Sequence, residues 1–182
     1  MEPFRDVRQD AWYGAAVDYV YQGGIMNGTS GRTFAPEAEL SRAMAVQVLY
    51  NLEGRPELED GEAQFTDVPA DAWYAAAVQW AAAQKIVNGR EDDQFEPEAD
   101  VTRQELVSIL YRYENYKAAD TSLRDDLSTF SDSAELADYA VEPMQWAVAQ
   151  GVISGMENRT LQPESTATRA QMAQIMKNLK AA

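Results

Sequence analysis

Cysteine and histidine are both absent from the 182 residues of this chain. Without cysteine there can be neither a disulfide nor thiolate chemistry, an absence that suits an exported protein. Without histidine the most usual general base and metal ligand is missing, and so is the side chain that changes charge near neutral pH. Bases are scarce too: 15 Lys and Arg stand against 30 Asp and Glu, a formal net charge of −15. That balance argues against nucleic acid or an anionic membrane surface as partner. No stretch approaches the ~18 consecutive apolar residues of a membrane span, so membrane insertion is not expected. No Gly-rich phosphate loop, serine-nucleophile elbow or zinc signature occurs, and no cofactor or metal is expected. Glu91-Asp92-Asp93 resembles the start of a calcium loop but lacks the EF-hand spacing and its closing glutamate, and reads as a solvated turn. No secretory signal opens the chain; Met1-Glu2-Pro3 runs straight into the first landmark below, as expected of a segment of a longer protein.

Apolar residues are plentiful at 46%, enough for a packed core in one domain or in three small units sharing one. The chain also repeats itself. Phe4, Trp12, Gly28 and Arg42 return 61 residues later as Phe65, Trp73, Gly89 and Arg103. Gly89 and Arg103 return 66 residues further on as Gly155 and Arg169. A fixed order of landmarks at constant spacing means one supersecondary unit used three times. The units span residues 1–54, 65–116 and 130–180, with polar connecting loops at 55–64 and 117–129, and together make one folded unit.

Each unit reads as helix, glycine-bearing turn, helix. Trp73, Ala76, Ala77, Trp80 and Ala81 form an apolar stripe at helical spacing, with Asp71 placed to cap it. Asn27-Gly28 and Asn88-Gly89 are turn pairs, since both residue types tolerate positive φ. Pro143 falls inside the third copy of the stripe and predicts a late start for that helix. Phe34-Ala35-Pro36, Phe95-Glu96-Pro97 and Leu161-Gln162-Pro163 are expected to hold the chain extended before each second helix. Thr102-x-x-Glu105 and Thr168-x-x-Gln171 are capping boxes, whereas Ser41 has Met44 three residues on and makes a cap alone. The fold class is all-α: six helices in three pairs, each too small to bury its own stripe. A pseudo-threefold closure is the simplest arrangement, with a linear stack as the alternative.

Two sets of side chains recur with chemistry in them. Arg42, Arg103 and Arg169 each open a capped helix, where free amides and a guanidinium could hold a carboxylate or phosphate. The competing reading is a structural tie to an acid or carbonyl. Trp12, Trp73 and Tyr139 follow Asp6, Asp67 and Asp132 by a few residues, a combination suited to a sugar ring and its hydroxyls. Core packing is the equal alternative for the tryptophans, and bracing of local turns for the aspartates. Trp80 and Trp146, in mid-helix, read as core. Nothing places two carboxylates across a cleft, so glycoside hydrolysis is not expected and the chain reads as non-catalytic.

The ordered series Phe-x-Asp-Val, Trp-Tyr-x-x-Ala-Val, Gly-Ile/Val, x-Gly, Phe-x-Pro and Thr-Arg-Ala-Glu resembles the S-layer homology (SLH) repeat, three times over from Phe4 to about Leu179, with Ser-Arg-Ala-Met at the last motif of the first copy and Thr-Arg-Gln-Glu at that of the second. The resemblance implies a three-pronged spindle around a central helical bundle, monomeric and outside the cell on the bacterial wall. It implies grooves between repeats that bind secondary cell-wall polysaccharide, often ending in a pyruvate-ketal sugar, and so anchor a parent protein. By the same resemblance Arg42, Arg103 and Arg169 would meet the ketal carboxylate, and Asp6, Asp67 and Asp132 the hydroxyls. Trp12, Trp73 and Tyr139 would line the grooves, and Gly28, Gly89 and Gly155 would admit the glycan to the backbone. The third copy departs most from the pattern, having lost the tryptophan and the Phe before Pro163, so its groove is expected to be the weakest. The alternative function is a protein–protein module for surface-lattice assembly or adhesion.

Overall fold

The computed structural model describes residues 4–58, 65–90, 93–156 and 158–181. Most of the first connector, and Glu91 and Asp92 of the acidic turn, lie outside them. Among the described residues the fold is all-α, with isolated bridges but no strand. The helices are α1 (Gly14–Gln22), α2 (Arg42–Leu52), α3 (Ala75–Ala83), α4 (Arg103–Tyr116), α5 (Asp138–Ala149) and α6 (Arg169–Ala181), with a 3₁₀ turn at Ser133–Glu135.

Helices from different repeats pack together, and this decides the topology. α2 packs on α3, α4 on α5 and α6 on α1, so each second helix covers the first helix of the next repeat and the third repeat returns to the first. A linear stack would leave α1 and α6 apart. The closure is visible in the backbone: the amide of Leu40 donates to Ala167 O (2.8 Å), that of Ala167 to Val101 O (2.9 Å), and that of Val101 to Leu40 O (2.9 Å). Leu40, Val101 and Ala167 are equivalent positions, all buried, so this ring of three hydrogen bonds marks a pseudo-threefold axis. At the far ends of the second helices the Tyr113 hydroxyl donates to Glu53, which also pairs with Lys117 at 2.9 Å. Burial, and then that bond to Glu53, push the Tyr113 hydroxyl pKa upward.

The helix starts follow the capping chemistry for the second helices only. Thr102 and Glu105 form the reciprocal box, Thr168 and Gln171 form its neutral version (3.2 Å both ways), and Ser41 accepts from the Met44 amide alone. Asp71 caps nothing: α3 begins at Ala75, after a turn containing Trp73, and its N-cap Tyr74 makes no side-chain bond. The third helix begins early rather than late. α5 starts at Asp138, and Pro143 sits in its second turn, where the helix forgoes one amide. Its entry is fixed from outside, because the Ala137 amide donates to Gln104 of the neighbouring repeat (3.0 Å).

The segments before the second helices are kinked, not extended. Ala35, Glu96 and Gln162 have φ of 57°, 56° and 51°, a left-handed conformation that side-chain-bearing residues adopt only at a cost of about 1–3 kcal/mol. Their neighbours Phe34, Phe95 and Leu161 are fully buried by this kink.

Candidate functional site

The conformational cost of the kink is offset by the recurring aspartates. Asp6 accepts from the amides of Phe34 (2.9 Å) and Ala35 (2.7 Å), Asp67 from Phe95 (2.8 Å) and Glu96 (2.7 Å), and Asp132 from Leu161 and Gln162 (2.8 Å each). Each carboxylate thus clamps the two amides of one kink, and none of the three lines a groove. Burial pushes the Asp6 pKa up, but the bonds from Phe34 and Ala35 and the charge of Arg169 outweigh it, and the net shift is downward. With the folded-state pKa below the unfolded value of about 3.9, the clamp stabilises fully above that value and is lost as pH falls through the folded pKa. The expected result is that Asp6→Asn is less stable than wild type at pH 7 and that the gap narrows steadily below about pH 4. Urea titrations at a series of pH values measure it; a gap independent of pH would show that the carboxylate's charge plays no part.

The arginines tie repeats together. Arg42 donates through Nε to Phe95 O (2.9 Å) and lies 4.8 Å over the Phe95 ring. Arg169 donates to Phe34 O (2.8 Å) and Asn27 O (2.7 Å) and lies 4.6 Å over the Phe34 ring. Arg103 donates to Leu161 O (2.7 Å). All three are buried, at 6%, 7% and 4% exposure. The helix amides beside them are already taken: Arg42 N donates to Ala99 O, Ala43 N to Pro97 O and Met44 N to Ser41, and α4 and α6 repeat the pattern on Ser165 and Pro163, and on Ala38 and Pro36. An anion at these helix starts would therefore meet guanidinium alone, not the free amides that the capped sequence implied.

The glycines owe their identity to packing. Neither Asn27-Gly28 nor Asn88-Gly89 has a positive φ. A Cβ at Gly28, Gly89 or Gly155 would instead lie 2.4, 2.6 or 2.3 Å from the ring of Phe4, Phe65 or Phe130. The glycine lets the first landmark of each repeat pack directly against its own turn, and the glycine itself lines the space on the other side.

That space is a groove, and each groove is assembled from all three repeats. Groove A, of about 710 Å³, has Gly28 and α2 of the first repeat, Trp73 of the second and Arg169 of the third. Groove B, of about 290 Å³, has Gly89 and α4, Tyr139 and Arg42. Groove C, of about 300 Å³, has Gly155 and α6, Trp12 and Arg103. The candidates that stand together within one copy of the sequence are thus dealt out one to a groove. Trp12, Trp73 and Tyr139 face solvent at 61%, 59% and 51% exposure, while Trp80 and Trp146 are core.

Three sets of groove residues were not singled out from the sequence. Gln47 and Asn51, and likewise Gln174 and Asn178, pair one turn apart (2.9 and 2.8 Å), with each asparagine donating to a turn carbonyl, Ile25 or Val152. These Gln–Asn pairs at i, i+4, recurring at equivalent positions of α2 and α6, were the available signal. In groove B the same positions are Ser108 and Arg112. At the groove lip stand Thr29, Arg90 and Met156. Arg90 bridges Glu96 (2.5 Å) and Glu105 (2.6 Å), and Glu105 lies 3.8 Å from Arg42.

The sequence matches the profile of the S-layer homology domain over residues 3–45, 64–107 and 129–173. The chain belongs to the S-layer homology family. SLH repeats are anchoring modules of bacterial cell surfaces, and that coarse role is this chain's. Among its relatives, the Surface-layer 125 kDa protein of Lysinibacillus sphaericus is 32% identical over 88% of this chain and 13% of its own length. The Cellulosome-anchoring protein of Acetivibrio thermocellus is 25% identical over 96% of this chain and 38% of its own length. An Endoglucanase of a Bacillus species is 25% identical over 97% of this chain and 18% of its own length. The SLH chain therefore spans well under half of each of these relatives. Among its described residues no helix is long and apolar enough to cross a membrane.

Proposed function

We propose that this SLH module binds secondary cell-wall polysaccharide, pyruvylated at its recognised sugar, in the three inter-repeat grooves, and so holds a parent protein on the bacterial wall. The observation that carries the reading is the threefold recurrence of one constellation: a solvent-facing aromatic, a lining glycine and a buried guanidinium within a single groove. The aromatic face offers apolar area to the C–H side of a sugar ring. The guanidinium offers a fork to a ketal carboxylate, and the side-chain amides of grooves A and C offer partners to hydroxyls. At a net charge of −15 long-range attraction to an anionic polymer is unavailable, so affinity rests on these local contacts, modest in each groove and raised by three grooves engaging one polymer.

Retention on purified wall sacculi, with and without the secondary polymer stripped off, tests the proposal. Trp12→Ala and Trp73→Ala are the informative variants. Their side chains are mostly exposed, so stability should change by no more than about 0.5 kcal/mol. Each should nonetheless weaken retention about tenfold, and the double variant more than either. Equal retention on stripped and intact walls would remove the polysaccharide and leave a surface-protein partner in its place.

A further inference from the structure

Asn27-Gly28 and Asn88-Gly89 stand where the third repeat has Ser154-Gly155. The Phe ring beside each glycine demands that glycine, but nothing in the fold demands asparagine before it. Neither pair has the positive φ that asparagine tolerates. Both asparagines are exposed in their grooves, and among the described residues their side chains make no hydrogen bond. Only their backbone oxygens are used, by the arginines. What an Asn-Gly pair does carry is reactivity. The glycine nitrogen can reach the side-chain amide carbon of the preceding residue through a five-membered ring, and no Cβ shields it.

The peptide unit between Asn27 and Gly28 is set up for that attack. The Gly28 amide donates to no backbone acceptor among the described residues, so its proton is open to solvent. The oxygen of the same peptide unit, Asn27 O, accepts from Arg169 Nη2 at 2.7 Å. Removing the amide proton leaves an anion whose charge is shared with that oxygen. The guanidinium therefore stabilises the attacking nitrogen as an oxyanion-hole donor stabilises its oxyanion. At Asn88 O the corresponding Arg42 Nη2 stands 3.4 Å away, at the limit of a hydrogen bond.

We propose that Asn27 is a self-modification site, at which the Gly28 nitrogen displaces the side-chain amide with help from Arg169. Solvent hydroxide takes the Gly28 amide proton, and the nitrogen bonds to Asn27 Cγ. The Cγ–Nδ2 bond breaks, and the leaving nitrogen takes its proton from water and departs as ammonia. Water then opens the cyclic imide at either carbonyl, leaving aspartate or isoaspartate at position 27. The net change is one water in and one ammonia out. The product brings a new negative charge into groove A. Its isoaspartyl form also adds a backbone atom to a turn where Gly28 is already wedged against Phe4, Ser30 and Thr33. Groove A thus ages, while groove C, with Ser154, cannot. The chemistry is independent of what the grooves bind; its effect on wall retention rests on the anchoring reading above.

Mass-spectrometric peptide mapping of the intact 182-residue chain, aged at mildly alkaline pH in buffer and in urea, reads the conversion at each asparagine. In buffer Asn27 should convert about tenfold faster than Asn88. It should also convert faster folded than in urea, where no guanidinium is held at its carbonyl. Slower conversion of Asn27 in the folded chain than in urea, or equal folded rates at Asn27 and Asn88, would overturn the proposal. Asn27→Ser, which copies the third repeat, then isolates the consequence. Wild type should lose retention on intact wall sacculi as it ages, and Asn27→Ser should keep whatever retention it has when fresh. Equal losses on ageing would overturn the consequence for groove A. Indifference of fresh protein to stripping of the polymer would overturn the anchoring reading and leave the peptide map untouched.

Discussion

Arg169→Ala is expected to destabilise the module by about 3–4 kcal/mol, read as a fall in Tm of roughly 6–16 °C for a chain of this size. The side chain makes two charge-assisted bonds, to Phe34 O (2.8 Å) and Asn27 O (2.7 Å), and its guanidinium stacks on the Phe34 ring. Alanine leaves the carbonyl of the fully buried Phe34 without a donor, which costs its desolvation in addition to the lost bonds, whereas the Asn27 carbonyl at the groove is open to water. The cation–π contact adds about 1–2 kcal/mol at so buried a site. Its place in the topology raises the consequence. The junctions between the first and second repeats, and between the second and third, are also tethered by a connector. The junction between α6 and α1 has no covalent link, and Arg169 spans 135 residues of sequence to make it. Thermal unfolding followed by tryptophan fluorescence measures the loss. A change below about 1 kcal/mol would mean that the arginine is not a structural tie. The same argument explains why alanine at the arginines cannot separate binding from folding, and why the exposed tryptophans are the better probes of the glycan.

Gly28→Ala is expected to be the most damaging of the three equivalent glycine substitutions, at about 3 kcal/mol or more. Its Cβ would lie 2.6 Å from both Ser30 O and Thr33 O, in addition to 2.4 Å from the Phe4 ring. Backbone oxygens held in a turn cannot step aside as a ring can. At Gly89 the nearest backbone oxygen is Gln94 O at 3.0 Å, and at Gly155 only the half-buried Phe130 ring is close. Chemical denaturation of the three alanine variants should therefore rank Gly28 above Gly89 above Gly155 in lost stability. Equal losses would show that the Phe contact, common to all three, sets the whole cost.

Much of this architecture can be read from local chemistry. The threefold recurrence, the capped starts of α2, α4 and α6, and the burial of Trp80 and Trp146 all follow from spacing and residue type within one repeat. The readings that needed revision share a cause. Asp71 has a capping residue's sequence position but not its geometry, since α3 starts only at Ala75. Pro143 was a helix-start signal until Gln104 of another repeat fixed where α5 begins. The pre-proline segments look extended, yet they are left-handed because an aspartate about 28 residues away takes two successive amides.

The groove assignments make the same point about function. Within one repeat Asp6, Trp12, Gly28 and Arg42 appear as a set, and the fold sends each to a different duty: Asp6 to the kink, Trp12 to groove C, Gly28 to groove A and Arg42 to groove B. The sequence by itself determined the family, the all-α repeat and which residue types are available, because periodicity and caps act over a few residues. Only the tertiary structure decided which residues share a groove and which amides the recurring aspartates take. The grooves depend on the closure of α6 onto α1, a packing of three repeats about one axis that no single repeat's spacing contains.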